Sequence, residues 1–553
     1  MKAPILVCIA AVLAGGGFLV AAERVSGPPA RSGGVQSGTA LAGELGCSVC
    51  HTDLGGTTIR ERAPSLSAAG VRYRASYLYD YLLAPRRVRP HIGAARMPDF
   101  HLDERESLAL TLYLTTLSAE APAPPVESGA SNGEALIRNE LGCLVCHGLD
   151  GSGGASAPSL DSVGARVTED FLVRYLAAPT AFDTTNVMPP LFYDRTGNAW
   201  RPRVADAAQK LGAVTQYLLG RGGNARDAAH DRFEDARSAH ADVTPEHGEE
   251  MAHALGCGGC HRGLPVPEGP VGPPLRTASS RVRPEWLRSF LQAPTPVRPA
   301  GYHPGSGSRM PDFRLTEAEV AALAGMLQRE PPSASPSPTL TPFQRGKAEA
   351  FLVDRLPCLG CHRLNGDGGR IGPDLSGVGS RLTREAIRNT IAHPQQAAPG
   401  SIMPRHPMPA DRIDLLTAFL ATQTTPDSSA YVSVVDMRPE PRDPDAQSGE
   451  GIYRTYCAHC HGVAGTGDGW NAPFLPAPPT RHADSTYMST RPDDTLYDGV
   501  HAGGYILNRS HRMPAFGQRL SDRQIRAVVD YMRELCNCQG PAWSRDGRGN
   551  RGQ

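Results

Sequence analysis

The sequence predicts an all-α fold built from five consecutive repeats, and three observations carry that prediction. The pentapeptide Cys-x-x-Cys-His occurs five times, at Cys47–His51, Cys143–His147, Cys257–His261, Cys358–His362 and Cys457–His461. The five histidines stand 96, 114, 101 and 99 residues apart in a chain of 553 residues, which by length alone has room for about three to five domains. Behind each pentapeptide comes the same order of Gly-rich loop, proline and apolar helix-length segments.

The pentapeptide is the attachment signature of a c-type haem. Two thiols add to the haem vinyl groups, and the adjacent histidine reaches the iron. The expected thioether residues are Cys47, Cys50, Cys143, Cys146, Cys257, Cys260, Cys358, Cys361, Cys457 and Cys460, and the expected iron ligands are His51, His147, His261, His362 and His461. That makes five covalently bound haem c groups. A zinc site would need four ligands arranged tetrahedrally, and each pair here has one adjoining histidine and no second Cys pair nearby. A disulfide within each pair would leave the fixed histidine unexplained. Units of about one hundred residues are small for a stable core, and a covalent haem supplies apolar filling.

In chain order, Lys2 precedes an apolar run from Ala3 to Ala22, with Val20-Ala21-Ala22 as a small-residue cleavage site. Residues 1–22 read as a signal peptide. Uncleaved, residues 3–22 are long enough to act as a membrane anchor. Either reading exports the rest. The repeats occupy 36–119, 130–222, 245–330, 342–424 and 446–538, and we number them one to five. Short helices lead into the motif over Gly133–Leu141, Pro245–Leu255 and Gly449–Tyr456. A proline follows the motif histidine by 11 to 13 residues: Pro64, Pro158, Pro273, Pro373 and Pro473. Middle helices run to a proline in units one to four, over Tyr77–Pro85, Phe171–Pro179, Trp286–Pro294 and Ile387–Pro394. A Met-Pro pair comes next, at Met97, Met188, Met310, Met403 and Met513. Each unit closes with an amphipathic helix; in unit five Ile525, Val528, Val529 and Met532 fall on one face. Tyr113, Tyr217, Phe419 and Tyr531 occupy matching places in four closing helices, and Met326 takes that place in unit three. The stretches 118–132, 222–244, 330–341 and 424–447 are Pro-, Ser- or charge-rich and read as surface connectors.

This grammar resembles the class I cytochrome c family, in five segments that cover nearly all the chain outside the connectors. The resemblance implies five tandem class I cytochrome c domains, with His and Met as axial ligands. The methionines are then Met97, Met188, Met310, Met403 and Met513, with Met408 as a rival to Met403. It also implies that Pro64, Pro158, Pro273, Pro373 and Pro473 each offer a carbonyl to the haem histidine of their own unit, orienting the ring. Gly465-Thr466-Gly467-Asp468-Gly469 in unit five resembles cytochrome c subunits of respiratory complexes.

Units two and four share Cys-Leu-x-Cys-His-x-Leu-x-Gly-x-Gly-Gly, from Cys143 and from Cys358. Units one and three share Arg-Met-Pro-Asp-Phe, from Arg96 and from Arg309. A dihaem ancestor duplicated in tandem explains both, and predicts that units one and two pack as one haem couple and units three and four as another. Unit two carries an insert, Tyr193–Pro202, expected to cover its haem or dock a partner. Cys536 and Cys538 are left for a small disulfide, a partner contact or no role.

Thioether ligation saturates the iron, so the expected function is electron carriage rather than catalysis. The partners expected are redox proteins or a membrane respiratory complex: a quinol-oxidising complex, a dehydrogenase or a terminal oxidase. The expected location is periplasmic. The alternative is a haem enzyme of peroxidase or thiosulfate-oxidising type, with one open or replaceable ligand in unit two or four. His91, His303, His406, His459, His501 and His511 are spare histidines near the haem units, and His459 is expected to point outward. Formal net charge is zero, and with only Lys2, Lys210 and Lys347 as lysines there is no basic block to bind nucleic acid.

Overall fold

Each repeat begins and ends with a helix, and the way those helices pair sets the architecture. The computed structural model describes residues 37–54, 63–86, 96–118, 123–128, 132–181, 187–197, 199–266, 271–328, 339–426, 429–437 and 447–544, all within one unit, Val35–Gln553. The apolar segment 3–22 and His91 lie outside them. The described residues are helix-rich, with three two-stranded hairpins. No described helix is long and apolar enough to cross a membrane.

The opening helices are Gly38–Leu45, Gly133–Ala135 (continued by a wide turn to Glu140), Pro245–Ala254, Pro342–Ala350 (continued likewise to Arg355) and Gly449–Tyr456. The closing helices are Glu104–Thr116, Ala207–Leu219, Glu317–Leu327, Ala410–Ala421 and Asp522–Cys536. Side chains acting as N-caps start most of these opening and closing helices, as Asp103 does with Glu106 and Thr316 with Glu319. Middle helices run over Ala75–Leu83, Glu169–Ala177, Pro284–Gln292 and Arg384–Ala392, at the places the prolines mark. Unit five has Asp493–Ala502 there.

In four of the five units the opening helix crosses a closing helix through a glycine that lets the two backbones approach. Gly133 sits on Ala213 and Tyr217, and Gly449 on Ala527 and Tyr531, each within its own unit. Units one and three do otherwise. Gly38 of unit one sits on Ala322 and Met326 of unit three, and Gly248 of unit three on Ala109 and Tyr113 of unit one. The cores agree. Leu41, Ala42 and Leu45 pack with Leu287, Leu291, Val320 and Leu323. Met251, Ala252 and Leu255 pack with Leu78, Leu108, Ala109 and Tyr113. The two units have exchanged their opening helices. Five separate tandem domains therefore do not describe this part of the chain. Both units share the same helix and proline grammar, so each opening helix fits the other's body, and the choice is not written in the local pattern.

The exchange is reciprocal in detail. Asp99 and Asp312 pair backbone to backbone, N–H to carbonyl in both directions at 2.8 and 2.7 Å. Arg96 reaches Glu319 at 2.8 Å, and Arg309 makes a two-pronged pair with Glu106 at 2.7 and 3.0 Å. Outside the exchanged helices, unit one meets unit two and unit three meets unit four. Tyr73 bridges Val167, with Arg74 N–H donating to the Arg166 carbonyl at 3.0 Å; Val282 bridges Leu382, with Arg283 N–H donating to the Arg381 carbonyl at 3.0 Å.

Two connectors are more than surface thread. Gly223–Ala239 is a helix that buries Ala229, Phe233 and Ala236, with the Phe233 ring 6.0 Å from that of Tyr79. Val434, Val435 and Met437 sink into the core of unit one. The insert in unit two is a hairpin, Tyr193–Thr196 with Ala199–Pro202, anchored by the Tyr193 hydroxyl donating to the Pro125 carbonyl at 2.9 Å. Cys536 and Cys538 form a disulfide.

Candidate haem sites

Each Cys-x-x-Cys-His motif is a single helical turn. The histidine N–H donates to the first cysteine's carbonyl at 2.9 Å in four motifs and 3.0 Å in the second. Residues three and four apart are neighbours on such a turn, so the first cysteine lies beside both the second cysteine and the histidine. All ten thiols are unpaired. Burial pushes the Cys50, Cys257, Cys361 and Cys457 thiols up to about 12, which keeps them protonated. Among the described residues no three His, Cys, Asp or Glu side chains gather as a metal cluster, so the zinc alternative gains no support from the geometry.

Every motif histidine has its Nδ1 against a backbone carbonyl. A carbonyl only accepts, so Nδ1 carries the hydrogen and Nε2 is left as the free lone pair, as a metal-binding imidazole requires. His147 donates to Pro158 at 2.7 Å and His362 to Pro373 at 2.8 Å, the predicted partners. His51 donates to Pro273 at 2.7 Å and His261 to Pro64 at 2.9 Å, so the predicted partners are traded between units one and three. His461 donates to Thr480 at 2.8 Å instead of Pro473, which lies in a short helical turn, Ala472–Phe474. Burial lowers the pKa of His51, His261, His362 and His461, and the carbonyl bond acts in the opposite sense.

A second bond fixes each loop. The Cys146 carbonyl accepts from Ala157 N–H at 2.9 Å and the Cys361 carbonyl from Gly372 N–H at 2.7 Å, both within a unit. The Cys50 carbonyl accepts from Gly272 N–H of unit three at 3.0 Å. In mirror fashion, Leu66 N–H of unit one donates to the Arg262 carbonyl at 2.9 Å.

One cavity of about 1100 Å³ runs past His51, His362 and His461. Met310, Met403, Met408 and Met513 line it too, among apolar walls that include Trp286, Phe290, Ile387 and Phe516. Met403 and Met408 both reach it, and Met408 also packs against the core of unit four. Met188 packs against the core of unit two. Met97 is half-buried, and its carbonyl accepts from Arg314 at 2.8 Å. Free imidazole nitrogens, paired protonated thiols and thioethers around apolar space are the donor set a covalent haem needs, so these residues fit the group.

Of the spare histidines, His303 and His406 line the same cavity. His511 is committed to the Val353 carbonyl at 2.9 Å, and His501 lies against Tyr497. His459 is half-buried with its ring 5.3 Å from that of Trp470, so it does not point freely outward. His482 went unnoticed in the sequence because it belongs to no repeated pattern. Its ring stacks on His461 at 4.2 Å, and its Nδ1 shares a 2.9 Å hydrogen bond with the Tyr453 hydroxyl.

Comparisons with known proteins fit this geometry. Residues 245–328 and 347–424 match the family described as Cytochrome c, and residues 444–532 match Cytochrome C oxidase, cbb3-type, subunit III. Comparison with curated proteins finds no match. Among solved structures, a reducing HAO-like protein complex of Kuenenia stuttgartiensis is 19% identical over 36% of this chain and 99% of that one, at a TM-score of 0.14, too low to carry an argument. The chain carries cytochrome c domains, one of them like a cbb3-type oxidase subunit, and is a multihaem cytochrome c that transfers electrons.

Proposed function

We propose that all five motifs hold haem c, and that the chain is a pentahaem carrier with His/Met ligation throughout. The supporting observation is that each of the five histidines has its Nδ1 tied to a carbonyl and its Nε2 left free, whatever the loop that brings the carbonyl. The bound group supplies reversible one-electron storage, at a potential that a thioether ligand raises. The protein does the rest. The carbonyls of Pro273, Pro158, Pro64, Pro373 and Thr480 orient the imidazoles. Met97, Met188, Met310, Met403 and Met513 would each supply a thioether to the bound group, and the apolar walls exclude water. In unit four Met403 takes this role over Met408 because it lies 41 residues after its histidine, as Met188 does in unit two.

The chain is exported to the periplasm, with residues 3–22 as signal or tether. It serves a respiratory quinol-oxidising complex, dehydrogenase or terminal oxidase. The match of residues 444–532 to an oxidase subunit family supports that setting.

Low-temperature EPR of the oxidised protein, with a carbon monoxide difference spectrum of the reduced form, tests the reading. Only low-spin signals and no carbon monoxide adduct are expected. Met403 and Met408 reaching one cavity favours a second reading, a replaceable ligand in unit four and peroxidase- or thiosulfate-type chemistry there. A carbon monoxide adduct lost with haem four would establish that reading and overturn the pure carrier.

A further inference from the structure

Four contacts tie the five sites together in space, and together they depart from the order of the sequence. Units two and one meet at the Tyr73–Val167 bridge, where Arg74 Nε also donates to the Gly164 carbonyl at 2.9 Å. The body of unit one holds the motif of unit three, through Pro64 and His261. That motif lies directly against the motif of unit one: a Cβ added at Gly259 would fall 2.0 Å from a methyl carbon of Val49. The motif of unit one lies in the body of unit three, through Pro273 and His51. That body meets unit four at the Val282–Leu382 bridge and shares one cavity with it. Unit four meets unit five at the motif of unit four. There Asn471 donates to the Gly360 carbonyl at 3.0 Å and accepts from Arg370 N–H at 2.7 Å.

The methionines go with the bodies. Met310 packs in the core formed by Leu41, Leu45 and Cys47, and lines the cavity with His51. Met97 occupies the same place in the matching segment of unit one, two residues before the Asp99–Asp312 pair, and Phe100 and Leu102 beyond it pack in one core with Cys257.

We propose that units one and three complete each other's haem sites, His51 with Met310 and His261 with Met97, so that the sites stand in the order two, three, one, four, five. This rests on the five-haem His/Met reading. The two ends differ from the middle in a way the order explains. In motif two Val145 is 79% exposed, whereas Gly259 of motif three, against Val49, and Gly360 of motif four, against Arg512 of unit five, are buried. Unit five exposes Tyr505 (79%) and Ile506 (55%) beside Met513. Unit one, first in the sequence, stands in the middle, so an electron entering at either end must pass the site of His51 to reach the other.

The test introduces Met310→His into two full-length backgrounds. One lacks haem one through Cys47→Ser/Cys50→Ser; the other lacks haem three through Cys257→Ser/Cys260→Ser. The readouts are the far-red thioether-to-iron band and the EPR g-values of the ferric protein. Crossed sites predict no change without haem one, and loss of one thioether signal without haem three. The reverse pattern overturns the proposal. If a background does not fold, a protease site placed within 119–122 of the wild-type chain decides. The cut fragment should stay bound through native gel filtration in high salt and separate only in denaturant, whereas native release of a one-haem fragment overturns the crossing. A wild-type protein with no thioether band at all would defeat the His/Met reading, and the cleavage result would still stand on its own.

Discussion

Single residues decide which helix meets which. A Cβ added at Gly248 would lie 2.0 Å from the Ala109 carbonyl oxygen, so the opening helix of unit three can approach the closing helix of unit one only as glycine. Gly248→Ala would ordinarily favour a helix by about 0.5–1 kcal/mol. Here the clash should outweigh that and destabilise the protein by about 1–3 kcal/mol, read as a lower melting temperature. A Cβ added at Gly223 would have nothing within contact range, and changing it to Ala should leave stability within about 0.5 kcal/mol. The sequence showed the partners of such glycines, Tyr113, Tyr217, Tyr531 and Met326, because they recur at one helical position. It could not show that Met326 faces Gly38 and Tyr113 faces Gly248, because equivalent helices are interchangeable at the level of pattern. The loss of Pro473 as a partner has a different cause. Unit five lengthens its loop through Pro478 and Pro479, and the carbonyl arrives at Thr480, beyond the range that the other four units set.

At the level of elements, buried charge holds the crossing in register. Glu106 and Arg309 are each only 1% exposed, and the Glu106 carboxylate also accepts from Val434 N–H at 2.8 Å. Arg309 adds the Phe100 and His101 carbonyls and stacks its guanidinium 4.4 Å from the Tyr431 ring centre. Removing one partner strands the other's charge in the interior. Arg309→Met should therefore cost about 3–5 kcal/mol in denaturant unfolding. The matching Arg96→Met should cost less, because Arg96 and Glu319 are 11% and 20% exposed and water can screen what remains. The pair was invisible in the sequence, since Glu106 reads as an N-terminal helix residue and Arg309 as part of a repeated motif. The helix Gly223–Ala239 was missed because its charged faces dominate its composition; its apolar residues, Ala229, Phe233 and Ala236, recur at helical spacing on one side. Phe233→Ala should cost about 3 kcal/mol and loosen that helix from Tyr79, seen as faster amide exchange across 223–239.

For the whole molecule, the crossing makes units one and three one structural body, and the bridges to units two and four extend it by the same contact used twice. That repetition is what a duplicated pair of units would leave behind. The sequence carried the duplication, the motifs and the helix order, because each rests on local spacing. It did not carry the order of the sites in space, which depends on two segments about two hundred residues apart choosing each other. The central claim is that all five motifs are haem sites, and intact-mass measurement of the exported protein, with alkylation of free thiols, tests it most directly. The account predicts a mass increased by five haems and no alkylation at Cys47, Cys50, Cys143, Cys146, Cys257, Cys260, Cys358, Cys361, Cys457 or Cys460. A mature protein carrying fewer haems, with any of those thiols open to alkylation, would contradict it.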